Sequence, residues 1–63
     1  MTRMRYDVQW KEKNGNCHGS NHCEIIVRDN YSDREIFDEL KRSIAIQVGI
    51  PFLNIQLLMW EKL

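Results

Sequence analysis

A chain of 63 residues has room for one hydrophobic core and no second domain. Apolar residues make up 43% of it and charged ones 29%, too hydrophobic for a disordered chain; nine basic residues cancel nine acidic ones, leaving no net field to draw the chain onto a nucleic-acid backbone or an anionic membrane. The longest mainly apolar run, Ile50 to Trp60, is interrupted by Pro51, Asn54 and Gln56 and falls well short of a membrane helix, and the basic start has no apolar stretch behind it. We therefore expect no membrane association and a cytoplasmic setting that keeps Cys17 and Cys23 reduced, an oxidising one allowing them a disulfide.

Met4, Tyr6, Val8 and Trp10 alternate with Arg5, Asp7 and Gln9, the period-two pattern of a half-buried strand. Asn14-Gly15 is a turn dipeptide, and Gly19, Ser20 and Asn21 prolong the break, so Asn14 to Asn21 is expected to hold the turn. Cys23, Ile25 and Val27 then alternate with Glu24, Ile26 and Arg28, which completes a hairpin over about 4–28. Matching the apolar sides sets Val8 across from Ile25 and Trp10 near Cys23.

Ser32 opens the sequence Ser-Asp-Arg-Glu, in which Ser32 caps a helix and Glu35 reaches back to it. Apolar residues follow at Ile36, Phe37, Leu40, Ile44 and Val48, the spacing of one helical face, and acidic residues precede basic ones in the order the helix dipole favours. Gly49 supplies a left-handed cap and Pro51 blocks continuation, so the helix is expected over about 33–48. A last strand is expected over about 54–62, with Ile55, Leu57 and Met59 on one side and Gln56, Leu58, Trp60 and Lys62 on the other. The class is α+β, in the order ββαβ. A right-handed crossover lays the last strand beside the first and parallel to the second, giving a three-stranded antiparallel or mixed sheet of order 2-1-3 with one helix across one face.

The helix, the Gly49-Ile50-Pro51 turn and the Gln56-Leu57-Leu58 strand resemble the ubiquitin-like β-grasp family over about Val27 to Trp60. The resemblance implies that fold and a tendency to bind proteins through the sheet surface, with Leu58 at the place of the family's exposed aliphatic recognition residue. The chain departs from the family in having no final central strand and no Gly-Gly tail, so conjugation is not expected.

Four residue sets carry chemistry that can be weighed. Cys17, His18, His22 and Cys23 are zinc-ligand types within seven residues, but one short loop would have to wrap all four around one ion, and we expect instead a polar loop entering a strand, with no metal and no cofactor. Neighbouring Cys and His in a strand point to opposite faces, and the carboxylates Asp33, Glu35, Asp38 and Glu39 suit a solvated helix start, so no catalytic site is expected and the chain is not expected to be an enzyme. Arg3, Arg5, Lys11, Lys13 and Arg28 share the hairpin with Tyr6 and Trp10 and offer a nucleic-acid surface, weakened by interspersed acids and by aromatics assigned to the core. Finally, Ile26, Leu58 and Trp60 are expected to face outward together on the sheet side away from the helix, a patch that marks contact with another protein or a second copy of the chain.

Overall fold

The computed structural model describes residues 1–63: strands β1 (Thr2–Glu12) and β2 (His18–Val27), helix α1 (Asp33–Val48), a 3-10 turn at Phe52–Asn54, and strand β3 (Ile55–Lys62). β1 is central and antiparallel to both neighbours, so the sheet order is β2-β1-β3 and β3 runs parallel to β2 across it. The α+β class, the ββαβ order and the single helix across one face agree with the sequence pattern. That face buries Met4, Tyr6, Val8 and Trp10 of β1, Cys23, Ile25 and Val27 of β2, and Ile55 and Leu57 of β3 beneath Ile36, Leu40 and Ile44 of α1, with no charged side chain among them.

The local signals for α1 act as their chemistry dictates. Ser32 Oγ accepts the Glu35 N–H at 3.3 Å, and Gly49 closes the helix at φ 73° with its N–H on the Ala45 carbonyl at 3.0 Å. The Glu35 carboxylate accepts from two nitrogens of the Arg28 guanidinium, Nε and Nη2, with the Ser32 amide acting on it more weakly, which tethers the helix start to the end of β2. At the other end, Gln47 donates to the His22 carbonyl at 3.2 Å and accepts from Asn21 at 2.9 Å, fastening the last turn of α1 over β2. The helix thus lies mainly above β2 and only grazes β3.

Two features differ from the sequence expectation, and both concern register. In the hairpin Val8 faces Asn21, not Ile25, and Trp10 faces Gly19, not Cys23; Ile25 is opposite Met4 and Cys23 opposite Tyr6. The loop closes over residues 13–17, with the Glu12 N–H on the Cys17 carbonyl at 2.8 Å, so Gly19, Ser20 and Asn21 belong to the strand. Gly19 and Asn21 serve the Trp10 indole, while Ser20 Oγ donates to Asp7 Oδ1 at 3.3 Å. The indole ring lies over Gly19, where a Cβ would come within 3.2 Å of it, and its Nε1 donates to Asn21 Oδ1 at 3.1 Å. A bulky core side chain is therefore covered by a residue with none, an aromatic-on-glycine pair that apolar-to-apolar matching overlooks.

The second difference lies in β3. Trp10 pairs with Leu57 but Gln9 pairs with Met59, so Leu58 is an extra residue, a β-bulge that leaves Leu58 and Met59 together opposite Gln9. The alternation resumes out of phase. Met59, expected under the helix, is exposed on the far face, and Trp60, expected on the far face, pairs with Val8 on the helix side. There its ring meets the edge of Phe37 of α1, with centroids 5.5 Å apart at 69°, while 41% of the residue stays in water because α1 does not reach across β3.

Candidate contact surface

The sulfur and imidazole groups of the hairpin are dispersed by strand alternation. Cys23 is buried under α1, where Gln47 Nε2 donates to its Sγ at 3.8 Å and burial pushes the thiol pKa up. His22 sits on the opposite face near Asp7, Nε2 to Oδ1 3.7 Å, His18 begins β2, and Cys17 is exposed in the loop. Both cysteines are free thiols, and no three His, Cys, Asp or Glu side chains gather as metal ligands would. Cys17 and His18 line an open groove of about 760 Å³ with Gln9, Lys11, Ser20 and Leu58. Asn16 also lines it, and no carboxylate does. The acids of α1 are similarly occupied: Glu35 by Arg28, Glu39 by Arg42 at 2.8 Å, and Asp38 within 3.9 Å of Arg34, while Asp33 remains at the exposed start of the helix.

The basic residues do not form one free cationic surface. Arg3 and Arg5 both engage Glu24, at 3.2 and 3.5 Å, and Arg28 engages Glu35, which leaves Lys11 and Lys13 of the five without an ion pair. Tyr6 and Trp10 are buried under α1; burial raises the Tyr6 pKa, and its hydroxyl donates to Met4 Sδ at 3.7 Å. Neither ring can stack a base from the sheet's open face.

The expected apolar trio is also separated. Ile26 lies on the open face beside Arg3, whereas Leu58 lies level with Gln9, six residues further along β1 or about 20 Å at the rise of a strand. Trp60 is on the other face. Assembled instead is a run along β3 that includes two residues the alternation argument left out. Leu58, Met59 and Leu63 are exposed on the open face, and Trp60 is half-exposed on the helix face. The signal for it was Leu57-Leu58-Met59-Trp60, four consecutive apolar residues in a strand with one buried face. Period-two geometry cannot bury four in a row, so such a run implies a bulge or a second covered face.

β3 is an edge strand, with β1 on one side only. The Leu63 N–H donates to the Arg5 carbonyl at 2.9 Å, which fixes which residues of β3 turn their backbone inward: 59, 61 and 63 face β1. The N–H and C=O of Trp60 and Lys62 consequently point away from the sheet. Comparison of the chain with protein-family models, curated proteins and solved structures finds no match in any of the three.

Proposed function

We propose that this chain is a non-catalytic protein-interaction module that makes its contact through the edge of β3. The observation that carries this reading is the coincidence, on one short segment, of an unpaired strand edge with the exposed side chains Leu58, Met59, Trp60 and Leu63. Unpaired backbone groups and contiguous apolar area are the two ingredients of strand-addition recognition: the ladder supplies affinity and the side chains specificity. The resemblance to ubiquitin-like β-grasp domains, with Leu58 at their recognition residue, points the same way. Arg3, Arg5 and Arg28 are engaged by Glu24 and Glu35, and the titratable groups of the core are a tyrosine and a thiol that are already hydrogen-bonded.

A photo-crosslinking residue at position 59 tests the reading. It is expected to give protein adducts in the native host, while the same residue at position 34, on the exposed side of α1, gives few. Equal yields from the two positions, or adducts with nucleic acid alone, would refute it.

A further inference from the structure

Resting on that reading, we infer that the partner of the β3 edge is a second copy of this chain, added antiparallel about a two-fold axis at Trp60 to make a six-stranded sheet of order β2-β1-β3-β3-β1-β2. Register selects the axis. The helix faces of both copies lie on one side of the joined sheet, so residues opposite one another must share a face. Beyond the bulge, Trp60 and Lys62 are on the helix face and Met59 and Glu61 on the open face. A two-fold at Trp60 meets this condition and sets Trp60 against Trp60 and Met59 against Glu61. An axis one residue further along would meet it too, but would oppose Glu61 with Glu61.

The backbone agrees with this axis. Trp60 is one of the residues whose N–H and C=O point outward, so it forms a reciprocal pair of hydrogen bonds with its own copy. Lys62, one step along the same face, brings its ammonium to the partner's indole, a cation–π contact across the junction. On the open face Leu63 of each copy comes alongside Leu58 of the other. The bulge ends regular pairing at Leu58, so the junction is short and closed and does not template further strands.

Charge favours a like partner. Each copy contributes one acid and one base at the junction, Glu61 and Lys62, and the chain as a whole is neutral, so two copies meet without long-range repulsion. Trp60, Met59, Leu58 and Leu63 are 41%, 56%, 52% and 65% exposed, which with the stems of Glu61 and Lys62 offers about 500 Å² per copy and about 1,000 Å² for the pair. That lies at the lower bound for a specific interface, the size range of weak, reversible association.

Sedimentation and light scattering over a concentration series, with amide hydrogen exchange on the same samples, test the proposal. The expected result is a rise from 7.6 kDa to twice that mass, accompanied by concentration-dependent protection of the Trp60 and Lys62 amides. Lys62→Pro removes an amide that bonds nothing within the protomer; it is expected to weaken association at least ten-fold while leaving the melting temperature and the exchange of the β1–β3 ladder unchanged. Should Lys62→Pro lose its fold, Met59→Lys provides the same reading from the open face. A single-chain mass at 1 mM, growth beyond two copies, or amides at 60 and 62 that exchange freely at every concentration would overturn the dimer. If position 59 then still crosslinks to other proteins, only the identity of the partner falls; if it does not, the contact surface falls as well.

Discussion

Deletion of Leu58 is the sharpest perturbation of this fold. If Leu58 is the extra residue of a bulge, its removal closes the irregularity and changes no pairing: Leu57 stays opposite Trp10, Met59 opposite Gln9, Trp60 opposite Val8, and the phase of every side chain is kept. The energy follows from the same geometry. Leu58 is 52% exposed, so losing it forfeits about 1 kcal/mol of burial. One residue fewer to order returns about 1–2 kcal/mol. The deletion is thus expected to lie within about 1 kcal/mol of wild type, or about 4–8 °C in melting temperature for a chain of this size. Deletion of Gln9, at the same level of the sheet but in the unbulged strand, instead turns the buried Trp10 to the open face and is expected to cost about 3–5 kcal/mol. That approaches the whole stability of a 63-residue chain, about 3–9 kcal/mol. Denaturant unfolding gives the energies, and a nuclear Overhauser contact between the rings of Phe37 and Trp60 reports the phase. If removing Leu58 abolishes that contact or costs as much as removing Gln9, the bulge does not set the position of Trp60.

Three further outcomes are expected. Leu40→Ala, at the fully buried centre of α1, is expected to cost about 3 kcal/mol and lower the melting point by more than about 10 °C, whereas Ile46→Ala, on the exposed side of the same helix, changes it little. The Arg28 guanidinium holds the Glu35 carboxyl below the usual carboxylate range, with the Ser32 amide contributing less. A carboxyl depressed on folding contributes stability that is present above its unfolded pKa and is lost as pH falls through the folded one, so the stability gap between wild type and Glu35→Gln should be open at neutral pH, close on acidification and narrow in salt; a gap independent of pH would contradict the pairing. With a thiol reagent, the native protein is expected to modify rapidly at Cys17 alone and the denatured protein at both cysteines, since Cys23 is buried and its thiol pKa raised. Rapid modification of Cys23 in the folded state would place it outside the core.

Much of the architecture was legible because its signals are local. Ser32, Gly49 and Pro51 bound the helix by capping chemistry and a missing N–H, and the spacing from Ile36 to Val48 names the face that meets the sheet. The strand order follows from crossover handedness alone. Hairpin register is not local, because it depends on which residue covers a large side chain. Pairing by hydrophobicity sets Trp10 against Cys23, whereas steric fit sets it against Gly19, a residue that composition assigns to the turn. Only the loop geometry at residues 13–17 decides between them. The contact surface was half legible for the same reason. Leu58 and Trp60 stand out in any reading of the last strand, but placing them and Ile26 on one face assumes unbroken alternation, and one extra residue reverses everything beyond it.

That reversal also explains why the apolar surplus sits where it does. Without the bulge, strict alternation would carry Met59 onto the helix face and leave Trp60 on the open one. The extra residue gives the helix-side place to the indole, which spans the gap to Phe37 that α1, pinned over β2 by Gln47 and Arg28, leaves beside β3. One edge of the ring completes the protomer's core, and the rest remains in water at the edge of the sheet. The residue that closes the core is therefore the one best placed to anchor a contact, so Trp60→Ala combines two effects: a stability loss of about 2–3 kcal/mol from burial and the lost ring contact, and a loss of association. Trp60→Phe separates them. It keeps an aromatic edge for Phe37 but shortens the part that extends past β3, so it is expected to retain most of the stability while association weakens. Equal losses of both would mean that Trp60 serves the core alone.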